Sequence, residues 1–390
     1  MYLLSKSIYI RFYNKYIWAR LLQSRRIQKV GVSTLAVSLP KEWVRSVGLK
    51  KGDIIFLEQD RDGSLKIMTI KQIKEKSSGT ILINADICKD HKMLMRVLKG
   101  IYSLGHDRIL ITSSERLRKE QMDSIRSVTR ELVGPGILEE TPSQVTVQCS
   151  IDITKFDLET VLRRLYLIAS TMHRDLIDAI SELNVKIAEE SINRSVEAET
   201  IYWLASRLLN SCQRDSVLAR KMKIENPMQI LWWRFAAHYL RLIADCAKKM
   251  AQKIIALSKN FDRIGELLKN DMIKINEDSY AVCHKAINSF FSNNAELANE
   301  AIEDYLKVQK AEEKIQERIC THAYLHSKSF SVSKYFKGKK PIEPCMIAQI
   351  SFIVWAARRI AELGSEIAET AIHKTLCKYT NLCKPILEEK

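Results

Sequence analysis

Two stretches of this 390-residue chain repeat one another: HYLRLIADCAKKMAQ at 238–252 and WAARRIAELGSEIAE at 355–369. Arg241 corresponds to Arg358, Asp245 to Glu362 and Ala251 to Ala368, each 117 residues further on. Solenoid arrays repeat at about 20 to 50 residues, so an offset this long marks a duplicated domain. Both copies separate apolar from charged positions at helical spacing. Both also set an arginine four residues before an acid, where side chains of one helix face meet. The surrounding sequence agrees. From about Lys155 onward Gly and Pro are rare, and breaks fall at Asn226-Pro227, Asn260 to Asp262 and the lysine-rich stretch 328–344. This predicts two runs of about three helices, residues 155–258 and 260–385, each closed by the repeated element.

The first part of the chain has a shorter rhythm. RIQKV and TLAVSLP alternate apolar and polar residues, KEWVRSVG makes a stub of helix, and IIFLEQ and SLKIM flank DRDG, whose Asp62-Gly63 pair suits a tight hairpin. Such a unit, residues 25–75, buries too little surface to stand alone and should pair with a copy of itself or with the rest of the chain. Residues 78–152 then read β-α-β-α-β-β: ILIN, a helix over HKMLMRVLKGIYSLG, RILIT, a helix over ERLRKEQMDSIRSVTRELVG, and a hairpin across Thr141-Pro142-Ser143. No phosphate loop occurs in it, so its expected role is to connect or to dimerise.

Charge is unevenly spread. The net charge is +16, and residues 1–75 hold 15 Lys and Arg against 6 Asp and Glu, which makes a polyanion partner for that end an expectation beside plain solubility. Nine cysteines without a CxxC pair suggest a reducing cytoplasm and no disulfide framework. The longest uncharged run, Pro344 to Ala357, has 14 residues and falls short of the ~18 that would suggest a membrane span. Residues 1–24 read as a basic N-terminal extension, either an amphipathic arm or a disordered segment. No Gly-rich loop, G-x-S-x-G or Cys/His setting supplies a nucleophile, so an enzyme is not expected.

The stretch STLAVSLPKEWVRSVGLKKGDIIFLEQD resembles the SpoVT/AbrB swapped-hairpin domain through Leu39, Pro40, Trp43, Leu49, Gly52 and Asp53. The resemblance implies a dimer of interlocked strands that binds DNA through its first hairpin, at positions occupied here by Arg25, Arg26, Lys29, Ser33 and Thr34. One departure stands out: many bacterial members carry an arginine after the hairpin glycine, whereas Gly31 is followed by Val32. The tandem bundles, each ending in R-I-A-[DE]-x-[AG]-x-x-[IM]-A or a close variant, are similar to the PhoU family of phosphate-uptake regulators; AETIYWLASRLL at 198–209 resembles the middle helix of its first bundle. An AbrB-like head before a PhoU-like tail resembles archaeal regulators of phosphate uptake. The implied fold is a small β-rich swapped-hairpin domain, a small α/β domain and all-α tandem three-helix bundles.

In the PhoU family, carboxylates four residues apart on one helix bind metal ions, often iron or zinc clusters. Here Arg241 and Arg358 stand where the first acid belongs and should instead pair with Asp245 and Glu362. After Glu362 the face continues with Glu366 and Glu369, and Glu313 of the preceding helix is a further candidate. A divalent or iron ion is therefore expected, if anywhere, in the second bundle, the alternative being a solvated acidic face; Asp245 is the weaker candidate in the first. His322 and His326 have zinc-compatible spacing but lack the accompanying Glu. Lys328, Lys334, Lys337, Lys339 and Lys340, interleaved with Phe330, Tyr335 and Phe336, read as a phosphate-backbone grip or as a loop. Together these features predict a cytoplasmic homo-oligomeric regulator of phosphate transport that binds DNA with its head and a transporter or sensor component with its tail. The alternative is an adaptor whose head only dimerises.

Overall fold

A computed structural model describes residues 24–59, 63–70, 80–88, 90–329, 335–337 and 342–376; the expectations for residues 1–23 and for Lys328, Phe330, Lys334, Lys339 and Lys340 fall outside the described residues or side chains. The chain divides into two compact units, Met1–Ser78 and Gly79–Lys390.

In the first unit, β1 (Gln28–Val30) and β2 (Thr34–Ala36) form an antiparallel hairpin with Val30 opposite Thr34. Pro40, its φ at −62°, precedes α1 (Lys41–Ser46), where a missing N–H costs nothing. The Leu-x-x-Gly-Asp signature is a turn. Gly52 takes φ +96°, Asp53 accepts from the Lys50 N–H at 2.7 Å, and its own N–H donates to the Lys50 carbonyl at 3.1 Å. Strands β3 (Ile55–Gln59) and β4 (Leu65–Thr69) make a second antiparallel hairpin with Gln59 opposite Leu65. Asp62 of the expected turn lies outside the described residues. Among the described residues of this unit only Thr69 is buried, and Leu35, Ile54 and Leu57 are 68, 65 and 64 % exposed.

The second unit opens with β5 (Thr80–Asn84), α2 (His91–Ser103), β6 (Arg108–Thr112), α3 (Lys119–Glu131), β7 (Pro135–Glu140) and β8 (Gln144–Cys149). The expected β-α-β-α-β-β order forms one sheet, β5-β6-β8-β7, in which α2 makes the crossover that the parallel β5–β6 pair requires. Leu94, Leu98 and Tyr102 of α2 pack with Ile125 and Val128 of α3 and with Ile111, Val145 and Val147 of the sheet. Helix α3 begins four residues later than its sequence suggests. The Leu117 N–H is given to the Pro142 carbonyl at 2.8 Å and Arg118 is extended, so residues 113–118 form a loop tied to the β7–β8 turn.

Two three-helix bundles follow: α4 (Leu158–Glu182), α5 (Val185–Arg214) and, after the short α6 (Ser216–Lys221), α7 (Pro227–Leu257); then α8 (Glu266–Ser292), α9 (Ala295–Ser329) and α10 (Pro344–Leu376). The expected breaks have physical causes. Asn226 caps α7 ahead of Pro227, and the 3-10 turn Ser258–Arg263 separates the bundles. Duplication extends to backbone detail: α4 and α8 both end on a left-handed residue, Leu183 at φ 55° and Asn293 at φ 53°. In each case the next residue, Asn184 or Asn294, caps the following helix. The bundles share one core, with α4 packed on α8 and α7 packed on α10, so equivalent helices of the two repeats meet. Gly364 sets how closely α10 crosses α8: a Cβ there would lie 2.9 Å from Cys283 Sγ and 3.2 Å from its Cα.

Candidate functional site

Arg25, Arg26, Lys29, Ser33 and Thr34 are all exposed on or beside the first hairpin. Lys29 lies directly opposite Leu35 in the ladder, so the cation shares a strand face with an exposed apolar side chain. Val32, at the hairpin tip, is 92 % exposed. This surface offers donors to a polyanion and apolar area to another protein surface in the same few residues.

On the repeated helices both arginines close onto the acid four residues on: Arg241 to Asp245 at 3.5 Å and Arg358 to Glu362 at 2.7 Å. Glu362 also receives Arg359 at 3.0 Å. Burial raises the Glu362 carboxyl, but hydrogen bonds and charge from Arg359 and Arg358 outweigh it and hold the group below its ordinary range. Glu366 accepts from the Tyr239 hydroxyl at 3.3 Å, while Glu369 and Glu313 are exposed. These acids do not converge. Among the described residues no three His, Cys, Asp or Glu side chains are grouped as a metal site. The donor set therefore does not fit the ion expected at Glu313, Glu362, Glu366 and Glu369, or at Asp245: two guanidinium groups already occupy the central carboxylate, and a cation would have to displace them.

A second constellation lies where the α/β sheet domain docks on α5. Arg207 is 1 % exposed, and its Nη1 donates to the carbonyls of Tyr102 and His106, each at 2.9 Å, while Nη2 meets Asp107. Asn210 Nδ2 donates to the Ser103 carbonyl at 2.8 Å. The last carbonyls of α2, which no intrahelical N–H can satisfy, are thus capped from another helix by a cation and an amide. Lys99 bridges Glu131 and Glu199 at 2.8 and 2.9 Å. Burial alone would lower the Lys99 ammonium, yet the two carboxylates raise it above the usual lysine range. Thr200 donates to the Glu131 carbonyl at 2.7 Å, and Trp203 packs against both cores. The domain expected to connect is therefore bolted to the first bundle. The signal in the sequence was Arg207 itself, a charge in the apolar helical phase of Leu204, Ala205 and Leu208.

Tyr335 and Phe336 of the lysine-rich stretch are not a grip. Tyr335 and Phe336 are 1 and 0 % exposed, held by a bridge between Phe336 and Ile264 and by the Gly265 N–H on the Tyr335 carbonyl at 2.8 Å. Lys337 pairs with Glu266 at 3.4 Å. His322 stacks on Tyr335 with ring centroids 4.3 Å apart, an aromatic packing role, and the His326 side chain lies outside the described residues. No helix among the described residues is long and apolar enough to cross a membrane.

The geometry defines a small strand-rich head, a sheet domain and a duplicated helical bundle, and comparison with known protein families matches the head. Residues 27–75 match the family described as antidote-toxin recognition MazE, bacterial antitoxin. The chain is also similar to the crystal structure of PhoU from Pseudomonas aeruginosa, at 15% sequence identity and a TM-score of 0.45, over 55% of this chain and 94% of that one. No curated protein sequence matches. A MazE- or AbrB-like domain thus stands at the N-terminus.

Proposed function

We propose that this chain is a regulator of phosphate homeostasis whose head dimerises and binds DNA, and whose tandem bundles receive the signal or partner. The observation that carries the first half is the uncovered head. Five strand residues, Val30, Leu35, Phe56, Leu57 and Leu65, expose between 42 and 68 % of their surface, and no apolar side chain among the unit's described residues is buried. Apolar area is worth about 25 cal/mol per Å² once covered, so a second copy of the head is the natural occupant, as the match to MazE supports. Dimerisation then doubles the exposed cations Arg25, Arg26 and Lys29 along one surface. The role in phosphate regulation rests on the duplicated bundles with their repeated I-A-[DE] helices.

Sedimentation of the full chain and a mobility shift on its own promoter fragment, at two salt concentrations, test this reading. Binding should weaken steeply with salt, by a log–log slope of about −0.9 per phosphate contacted, and Arg25/Arg26/Lys29→Ala should abolish it. Unaltered binding in that variant would sink the DNA assignment. Val32 favours a second reading, since an apolar tip 92 % exposed suits a protein surface better than a phosphate. In that case the head dimerises without DNA and the bundles act as an adaptor on a transporter or its sensor. A dimer that never shifts DNA and a transporter component recovered by pull-down would select it.

A further inference from the structure

The loop that delays the start of α3 builds a site of its own. Residues 113–118 are tied down at both ends: the Ser113 N–H donates to the Ser143 carbonyl at 2.9 Å, the Leu117 N–H to the Pro142 carbonyl at 2.8 Å, and the Arg118 N–H to Gln121 Oε1 at 2.9 Å. Gln121 is itself buried and anchored by its Nε2 on the Ala85 carbonyl at 3.0 Å. Beside this loop runs an open groove of about 700 Å³, lined by Arg116, Arg118, Lys119 and Arg126 together with Leu117, Met122 and Pro142. Small-molecule sites commonly enclose about 300 to 1,000 Å³.

The charges in the groove are unequally committed. Arg126 bonds Glu140 at 2.8 Å and lies 4.0 Å from Asp123, so these three satisfy one another. Arg116, Arg118 and Lys119 are exposed, and among the described residues their side chains make no ion pair or hydrogen bond. Asp86 is the acid nearest to Arg118 in effect. Its oxygens are already taken by the Ser113 hydroxyl at 2.6 Å and the Ser114 N–H at 2.7 Å, and those bonds, more than Arg118, hold its carboxyl low. Lys119 also opens the thirteen-residue α3, whose partial positive charge adds to the three cations. The place is the carboxyl end of the parallel β5–β6 pair, the edge at which open α/β sheets present ligands.

We propose that this groove binds a soluble phosphorylated small molecule, with Arg116, Arg118 and Lys119 on the phosphate oxygens and Leu117, Met122 and Pro142 against its less polar part. A compact anion fits better than a nucleic-acid strand. Asp123 and Glu140 lie in the same groove, and Glu115 and Glu120 are exposed beside it, so a phosphate backbone running on would meet carboxylates. The proposal goes beyond the reading of the head and bundles and is tested apart from it.

Calorimetric titration of the full chain in separate arms with inorganic phosphate, pyrophosphate and ATP, without added metal, decides the matter. Saturable binding of one anion per chain is expected, weakened more than about tenfold in Arg116/Arg118/Lys119→Ala, because each lost charge-assisted bond is worth about that factor. Affinity for phosphate alone identifies the free ion, and preference for ATP identifies an organic phosphate. Lys92→Ala and Arg130→Ala, exposed cations outside the groove, should leave binding intact. Arg118→Glu repeats the test if the triple variant does not fold. Absence of saturable binding in all three arms, or binding untouched by these substitutions, overturns the proposal. So does a triple variant that weakens only the duplex DNA shift.

Discussion

Replacing Arg207 with methionine tests whether the cap from α5 holds the end of α2. The cost follows from what each acceptor retains. The Tyr102 carbonyl keeps the Gly105 N–H at 2.9 Å and loses only its second bond, whereas the His106 carbonyl loses its one described donor. A stranded, partly buried carbonyl costs about 1 to 3 kcal/mol and a second bond about 1. The Asp107 pairing adds well under ~1 kcal/mol, because that carboxylate is 64 % exposed and rehydrates. Loss of the guanidinium from the Tyr102 face, 5.0 Å away, is offset by no longer burying a charge. The sum is about 2 to 4 kcal/mol, or about 30- to 1,000-fold in an opening equilibrium. Native-state hydrogen exchange read on peptides spanning residues 98–107 should show that loss of protection, with Arg207→Lys between it and the parent and α8 to α10 unchanged. A fall of less than about threefold in Arg207→Met would refute the capping argument.

Three further outcomes follow from the bundle. Burial pushes the His173 imidazole down to about 4, against a hydrogen bond to Asn276 at 3.0 Å that favours the charged form. The unfolded chain, titrating near 6.5, takes up this proton first, so stability present above that pH is lost as pH falls towards 4, by something like ~3 kcal/mol. His173→Gln should flatten this limb of a Tm–pH profile, and an unaltered limb would contradict the assignment. Gly364→Ala gains about 1 kcal/mol of helix propensity but forces a contact on the Cys283 backbone costing about 1 to 3, so Tm should fall. A raised Tm would mean that α8 and α10 yield freely. Asn293→Val places a β-branched residue at φ 53° and should cost at least about 1 to 2 kcal/mol in denaturant unfolding, a cost absent if the turn rearranges.

Local chemistry carried much of the fold. Asn226-Pro227 marks a helix start wherever it occurs, and Leu49 to Asp53 form the same turn in any context because Gly52 alone accepts its φ. The repeat at Arg241 and Arg358 predicted both the duplication and the ion pairs. The misreadings involve partners distant in sequence. Tyr335 and Phe336 look like loop aromatics until their backbone meets Arg263 to Gly265. Glu362, Glu366 and Glu369 at helical spacing, with Glu313 on the preceding helix, look like one ligand set until Tyr239, from the other repeat, takes Glu366. Arg207 reads as an interruption in an apolar helix, since nothing local announces the carbonyls of α2 some hundred residues earlier. The groove cations are hidden for a related reason: periodicity extends α3 back over Glu115 to Arg118, and the bonds of Ser113 and Leu117 to the distant Ser143 and Pro142 carbonyls hold that segment as a loop.

Docking of the sheet domain on α5 also breaks the equivalence of the two repeats. In the first repeat the middle helix is committed to α2 through Lys99, Arg207 and Asn210 and to the end of α3 through Thr200. In the second, α9 leaves Leu306 42 % exposed. A protein that recognised the middle helix of such a bundle would find one vacancy per chain where the duplication alone offers two. Its stoichiometry would then follow the number of chains in the assembly, not the number of repeats.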